Sequence, residues 1–208
     1  MSPSGLRERK KQKTKAAIQR AAMRLFKKQG YEETTVEQIA AAADISESTF
    51  FNYFPNKEDV VIYDEYDPMM FAALASAPKG ETLAATFDRL LSQLGDVFVA
   101  DRDVILERAK LSLEEPELRA RAWGELEKAR DAFAAIIAKR TGREATDDEV
   151  QLTAMTLIAA GFQAMVQWVH ADGKGSMFEL FREAMGFVNL DAMLKRLESG
   201  PPYNSGVR

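Results

Sequence analysis

The sequence contains no cysteine and a single histidine, His170, and both scarcities limit the chemistry of the chain. Without cysteine the chain forms no disulfide framework and offers no thiolate ligand to a structural zinc ion. One imidazole near the end of a predicted helix, with no second histidine beside it, does not make a conventional zinc site. We therefore predict no metal and no cofactor, and the lack of cysteine fits a reducing cytoplasm.

Catalytic motifs are missing as well. The sequence has no glycine-rich phosphate loop, no nucleophile elbow and no metal-binding histidine doublet. An enzyme brings titratable groups together in a cleft, whereas the carboxylates here fall on helix faces that are predicted to be exposed. The sequence therefore predicts that the chain is not an enzyme.

Long hydrophobic runs are also lacking. No apolar run approaches the roughly 20 residues that span a bilayer, and no apolar segment follows the charged start to make a signal peptide. Hydrophobic residues make up 46% and charged residues 29% of the 208 positions, as in ordinary globular proteins. We expect a soluble, cytoplasmic protein that does not interact with a membrane.

Negative charge is scarce in the first 30 residues, although the whole chain has a net charge of −4. Ten lysines and arginines in this stretch are opposed by one acid, Glu8, which leaves +9 here and −13 on the other 178 residues. A basic head on an acidic body favours a polyanionic partner held at one end, because the acidic part repels phosphate. A solvated, partly disordered basic tail is the alternative.

Apolar residues recur at intervals of three and four through most of the chain, and no segment alternates with a period of two. The pattern predicts an all-α protein of about nine helices. The first helix is expected at about 13–29, the second is expected to begin at 36 and the third at 47. The fourth is expected to begin at 57 and to bend or restart at Pro68. Five more are expected at about 81–99, 102–113, 116–141, 147–171 and 176–198. The tail, 200–208, is predicted to be disordered.

The second and third predicted helices form a hairpin. Thr35 and Gln38 have the spacing of a capping box, Asp44 tolerates a tight turn, and Ser46 can cap the next helix. Two short helices joined by a tight turn predict a helix-turn-helix, whose second helix enters the major groove of DNA. A helical hairpin that binds no DNA is the alternative interpretation.

The third predicted helix separates apolar from polar side chains. Phe50 and Phe54 are four residues apart and, with Ile45, are expected to face inward. Hydroxyl and amide side chains suit base edges and phosphates, and an asparagine can bond adenine in two places. No arginine is present, so the usual guanine reader is missing. The polar set is Ser46, Ser48, Thr49, Asn52 and Tyr53.

This region resembles the N-terminal signature of the TetR (tetracycline-repressor) family over about residues 12–62. The resemblance rests on three runs: Thr34-Thr35-Val36-Glu37-Gln38-Ile39-Ala40, Ala43-Asp44-Ile45-Ser46, and Ser48-Thr49-Phe50-Phe51-Asn52-Tyr53-Phe54-Pro55-Asn56-Lys57-Glu58-Asp59. It implies a three-helix DNA-binding domain with a basic arm at 1–56, and a larger helical domain at 57–199 that binds an effector and dimerises.

The resemblance also implies roles for individual residues. Thr35, Tyr53 and Lys57 are expected at phosphates, and the groove is expected to be contacted by Ser46, Ser48, Thr49 and Asn52. Phe51 stands where many members have tyrosine, so Tyr53 is expected to carry more of the hydroxyl contact. The basic arm should supply much of the affinity and includes Arg9, Lys10 and Lys13.

Members of this family act as homodimers on palindromic operators, and a single DNA-binding domain this small would bind DNA weakly. The last two long predicted helices are the expected dimer surface, although the same residues would also serve as core. The residues are Met155, Ile158, Phe162, Met165, Phe178, Phe181, Met185 and Val188.

Large apolar residues elsewhere in the second domain permit a pliable effector pocket, with an ordinary core as the alternative. Arg108 could snorkel to water or meet an acidic ligand. The candidate pocket residues are Tyr63, Phe71, Phe87, Leu94, Phe98, Arg108, Trp123, Phe133 and Trp168.

The sequence thus predicts a transcriptional repressor whose binding to double-stranded DNA is relieved by a small apolar or amphipathic effector. The segment 77–82 resembles a subgroup common in actinobacteria, some of which is associated with acyl-CoA-like ligands, so a fatty-acyl effector is the working hypothesis. Two alternatives remain open: a ligand-independent regulator or activator of the same fold, and a helical protein-interaction module that does not bind DNA.

Overall fold

The structure, a computed structural model, describes the backbone of residues 3–200 except 65 and 79, and leaves undescribed the side chains of 1–6, 8, 9, 68, 69, 96 and 97. Within those residues every regular element is a helix, which confirms the all-α class. The predicted disordered tail lies, from 201 onward, outside the described residues. The helices are α1 (Pro3–Gln29), α2 (Val36–Ala42), α3 (Glu47–Tyr53), α4 (Lys57–Ile62), α5 (Asp67–Ala75), α6 (Leu83–Ala100), α7 (Arg102–Glu114), α8 (Pro116–Thr141), α9 (Asp148–His170), α10 (Met177–Phe187) and α11 (Leu190–Ser199).

The described residues form eleven helices, two more than the number predicted, because two predicted stretches are each divided. After α4 ends, α5 starts at Asp67 with Pro68 in its first turn, as expected for a restart at this proline. The stretch predicted at 176–198 is interrupted at Asn189, whose φ of 51° is left-handed. A left-handed residue does not continue a right-handed helix, so α10 and α11 are separate.

The chain divides into two compact units. The first unit comprises 1–65 and 103–122, and α1 packs in it against α2, α3 and α4. Its buried core is apolar and includes Ile18, Phe26, Ile39, Phe50, Phe54, Val60, Leu111 and Leu118.

The second unit comprises 66–102 and 123–208. Here α9 packs against α10 and α11, and α6 packs against α5 and α11. Its main core includes Leu74, Leu83, Phe87, Phe133, Ile137, Leu157, Leu190 and Leu194. The predicted domain boundary between residues 56 and 57 stays a prediction.

Helix α9 departs from the expectation that no apolar segment is long enough to span a bilayer. By length and composition it is long and apolar enough to cross a membrane, with a mean hydropathy of 1.4 over an 18-residue window. It is the one described helix that passes this test. However, Val150, Leu157 and Trp168 are buried in the second unit, and the core helix of a globular protein has the same composition. One helix of this kind, 39% buried over that window, does not by itself indicate a membrane span.

Candidate nucleic-acid interface

Helix α2 begins with the predicted capping box. The Thr35 hydroxyl accepts a hydrogen bond from Gln38 N at 3.2 Å, and Thr35 N donates to Gln38 Oε1 at 3.1 Å. Gln29, the last residue of α1, donates through Nε2 to the same Gln38 Oε1 at 2.8 Å. Thr35 is exposed, and its hydroxyl proton can still be donated to an outside oxygen.

The turn between α2 and α3 is held by backbone bonds. Asp44 has a φ of 56°, in the left-handed region that aspartate tolerates better than most residues. Asp44 N donates to Ala41 O at 3.2 Å, and Ile45 N donates to Ala40 O at 3.0 Å. Half-buried Ile45 packs on the first core. These contacts fix the start of α3 relative to α2.

Helix α3 presents one apolar and one polar face, as predicted. Phe50 is fully buried and Phe54 is 1% exposed, and their ring centroids lie 6.1 Å apart in the first core. Since one residue turns a helix by about 100°, Ser48 and Asn52 fall on the side opposite Phe50. Both side chains are exposed, whereas Tyr53 is half-buried.

The hydroxyl groups at the start of α3 are already engaged with one another. Ser46 caps the helix by accepting from Thr49 N at 3.2 Å. The Ser46 hydroxyl also lies 2.9 Å from the hydroxyls of Ser48 and Thr49. This small network orders Ser48 before any DNA is present, so fewer side-chain rotamers remain to be lost on binding.

Helix α4 is anchored by side chains distant in sequence. Gln19, which is buried on α1, donates through Nε2 to Val60 O and Tyr63 O, both at 2.8 Å. Arg108 donates to Val61 O at 3.1 Å and pairs with Asp64 at 2.8 Å. Both therefore satisfy carbonyls that the end of a helix leaves without an internal partner.

Lys57, at the start of α4, is also used within the first unit. Its Nζ donates to Tyr31 O at 2.9 Å and lies 4.1 Å from the centroid of the Tyr31 ring. Burial, and then the negative charge of Glu58, raises the pKa of Tyr31, so its phenol stays neutral. An ammonium group carries three protons, so Lys57 can hold Tyr31 and still donate to a phosphate.

Exposed cations line α1. Lys10, Lys13, Arg20, Arg24 and Lys27 are exposed and recur at intervals of three, four and seven, which places them along one side of the helix. The side chain of Arg9, a predicted contact, lies outside the described residues. Lys15 is used differently, because its Nζ lies 4.0 Å from the centroid of the Tyr63 ring.

The predicted pocket residues are divided between the two units. Tyr63 and Arg108 belong to the first unit and the other seven to the second. Phe133 contacts Phe71 and Phe87, with ring centroids 5.1 Å and 5.9 Å away. Of the other four, Leu94 and Trp168 are buried, and Trp123 is 56% exposed. Phe98 is half-buried and packs against Phe178.

The second unit also contains a groove of about 420 Å³ between α6, α10 and α11. Phe87, Met185 and Leu194 contribute apolar surface to it, and Arg182 and Asp88 lie at its edge as an ion pair with an N–O distance of 2.9 Å. Of the predicted pocket residues, Phe87 lines this groove. Its charged lining residues are one cation, Arg182, and two carboxylates, Asp88 and Asp191.

The predicted dimer residues separate into exposed and buried ones within the single chain. On α9, Met155 and Phe162 are each 40% exposed. Ile158 and Phe178 are buried, and the half-buried residues are Met165, Phe181 and Met185. Exposed apolar residues on α9 extend further, because Leu152 is 61% exposed.

Leu152 is not among the predicted dimer residues, although it lies three residues before Met155 and so continues the same spacing. Phe187, at the end of α10, is not among the predicted dimer residues either, and it is 93% exposed. The neighbouring Val188 is one of the predicted dimer residues and is 43% exposed. The second unit thus leaves several large apolar side chains in contact with solvent.

Comparisons with known proteins match both parts of the chain. The family described as bacterial regulatory proteins, tetR family, matches residues 18–63, and the MftR C-terminal domain matches 81–198. The HTH-type transcriptional regulator TcmR of Streptomyces glaucescens is 37% identical over 69% of this chain and 67% of that protein. MftR of Mycobacterium tuberculosis is 24% identical over 86% of this chain and 91% of that protein.

A solved structure shows the same fold. Thermus thermophilus FadR, a TetR family transcriptional repressor in complex with lauroyl-CoA, is 26% identical, with a TM-score of 0.53 over 93% of this chain and 98% of that one. The capped hairpin of α2 and α3 lies inside the N-terminal family match. Because these two family matches together cover residues 18–63 and 81–198, this chain is a DNA-binding transcriptional regulator of the TetR family.

Proposed function

We propose that the chain is a homodimeric repressor that binds a palindromic operator through α2 and α3 and releases it when an effector binds. The observation that carries the proposal is the hairpin itself: a capped α2, a fixed turn, and an α3 whose exposed polar face lies opposite a fully buried phenylalanine. The protein acts in the cytoplasm, where the DNA is, and the proposal includes no catalytic step.

In this proposal Ser48 and Asn52 contact base edges in the major groove. Both are exposed on α3, and an asparagine there can bond the N6 and N7 atoms of adenine. Ser46 and Thr49 act by ordering Ser48 and the start of α3, since their hydroxyls bond to the same network.

Phosphates are contacted from four helices, α1 to α4. Thr35, Tyr53 and Lys57 supply donors near the hairpin, and exposed Lys10 and Lys13 on α1 add charge. Such contacts hold the protein in register without reading sequence, and they release counterions from the DNA. Arg9 belongs to the same arm by its place in the sequence.

Dimerisation is proposed at the exposed apolar side chains of α9. Leu152, Met155 and Phe162 recur at intervals of three and seven, so they lie along one side of the helix. Large apolar groups in water are a favourable site for association. A two-fold dimer presents two copies of α3, and palindromic operators match that symmetry.

For the effector we propose an amphipathic molecule with an acyl chain, bound in the second unit. Apolar surface for an acyl chain is offered by the groove beside α6, whose lining includes Phe87, Met185 and Leu194. The Thermus relative is described in complex with lauroyl-CoA. Release requires the effector to bind more tightly to the conformation that does not bind DNA.

Selection of binding sites from a pool of random DNA by the full-length protein tests the DNA-binding proposal. We expect enrichment of an inverted repeat and an affinity that falls steeply with salt. Lys13→Ala should reduce the slope of log K against log salt by about 0.9 for each phosphate that it no longer neutralises. Lys174→Ala is the matched control, because Lys174 is an exposed cation of the second unit. Failure to enrich any sequence would overturn the proposal.

The effector proposal is tested separately with lauroyl-CoA as the probe. Titration of lauroyl-CoA into the complex of the protein with its selected DNA should release the DNA, whereas coenzyme A without an acyl chain should not. Release by both compounds, or by neither, would contradict an acyl-type effector and would leave the DNA-binding result unaffected.

A further inference from the structure

Phe51 is an apolar side chain on the polar face of α3. It is 50% exposed, and among the described side chains of the first unit no other large hydrophobic residue is exposed. Its place on α3 is one residue before Asn52 and three residues after Ser48, which are themselves exposed. Side chains three residues apart on a helix are neighbours on its surface. The ring therefore borders the groups that face the base edges.

The position of the Phe51 ring is restrained by the core. Its centroid lies 5.5 Å from that of Phe50, and the two rings meet edge to face at 87°. Phe50 is fully buried, so this contact holds one part of the Phe51 ring while half of the side chain remains in solvent. A restrained aromatic side chain loses little conformational entropy when a partner covers it.

The chemistry of the major groove provides one apolar group on the edges of the standard base pairs, the 5-methyl of thymine. We propose that Phe51 contacts this methyl group and makes α3 selective for A·T pairs. The rest of the helix agrees with this, because Asn52 is suited to adenine and α3 contains no arginine for guanine. The inference rests on the proposed DNA-binding function and adds the base feature that Phe51 reads.

Replacement of thymine by deoxyuridine removes the methyl group and leaves the hydrogen-bonding edge unchanged. Each thymine in one half of the selected site is replaced in turn, and the dissociation constant of the full-length protein is measured by electrophoretic shift. We expect one position at which the wild-type protein binds about four-fold more weakly, the effect of losing one buried methyl-sized group.

Three variants link that effect to Phe51. Phe51→Ala should bind the thymine and deoxyuridine sites equally, whereas Phe51→Tyr, which keeps the ring, should retain the difference. Asn52→Ala is the matched control, because it should retain the methyl effect while losing discrimination of adenine.

The results separate this inference from the function on which it rests. If no deoxyuridine substitution weakens the wild-type complex, or if Phe51→Ala keeps the full methyl effect, the assignment of Phe51 is overturned while selective DNA binding stands. Circular dichroism checks that Phe51→Ala is folded. If that variant does not fold, the wild-type protein still tests the inference, because a complex that no deoxyuridine substitution weakens overturns it.

Discussion

At the scale of single residues, Lys57 combines an observed contact within the first unit with a proposed contact to a phosphate. Its ammonium group holds Tyr31 O at 2.9 Å and lies over the Tyr31 ring, and it is also a proposed phosphate contact. We expect Lys57→Ala to weaken DNA binding and to lower the free energy of unfolding by about 1–2 kcal/mol. Urea unfolding and electrophoretic shift measure the two effects.

Lys13→Ala is the comparison for this prediction. Lys13 is exposed on α1, so its removal should weaken DNA binding and leave the urea midpoint unchanged. If Lys57→Ala is as stable as Lys13→Ala, the contact with Tyr31 does not contribute to the stability of the first unit.

Contacts between nearby residues were predictable from the sequence, and distant ones were not. The capping box joins Thr35 and Gln38, which are three residues apart, and its residue types are diagnostic. In contrast, Lys57 meets Tyr31 across 26 positions and Arg108 meets Val61 across 47. Spacing rules do not reach that far, so the sequence does not predict that Arg108 bonds the end of α4.

At the scale of secondary-structure elements, the turn at Asp44 sets the relation of α2 to α3. Its φ of 56° disfavours most side chains, by about 1–2 kcal/mol, and β-branched ones most. Asp44→Gly should therefore unfold at a urea concentration close to that of wild type, while Asp44→Val should lose about 1–2 kcal/mol. Equal stability of the two variants would show that this backbone conformation does not constrain the turn.

A carboxylate two residues before α6, that of Glu81, links stability to pH. Hydrogen bonds from Arg89 and Thr86, and then the charges of Arg89 and Arg140, lower the pKa of Glu81 from 4.5 to about 2. Because the folded pKa is lower than the unfolded one, the stabilisation from Glu81 is complete above pH 4.5 and is lost toward pH 2.

Glu81→Gln removes this titration. The difference in free energy of unfolding between wild type and Glu81→Gln should be constant at neutral pH and should shrink as the pH falls through this range. Urea unfolding at a series of pH values measures it. A difference that stays constant down to about pH 2.5 would mean that Glu81 has an ordinary pKa, or that its partners do not hold it.

Most helix boundaries followed from the sequence because strong local signals mark them. Helix α8 was expected at about 116–141 and is observed at Pro116–Thr141, with Pro116 at its first position, as helices favour. The break at Asn189 has no comparable signal, because apolar spacing continues from α10 into α11. A left-handed asparagine is visible only in the folded backbone.

At the scale of the whole molecule, the pattern of apolar residues does not distinguish the core from an interface between copies. Ile158 and Met155 are both apolar residues on α9, yet the first is 8% and the second 40% exposed. Both environments require the same residue types, so the sequence alone predicted a mixture of the two. The exposure of each side chain in the folded chain separates the buried core residues from those that a second copy could reach.

The proposed dimer makes a prediction that involves both units. Leu152→Asp together with Phe162→Asp places two carboxylates on the exposed apolar side of α9, and analytical ultracentrifugation should then find a folded monomer. Binding to the selected operator should weaken by at least about 10²-fold, because the two DNA-binding domains are no longer linked and the second half-site is no longer bound at high effective concentration. Val99→Asp is the control, since Val99 is 77% exposed on α6 and should leave mass and affinity unchanged. If the double variant remains a dimer, these residues of α9 are not the interface.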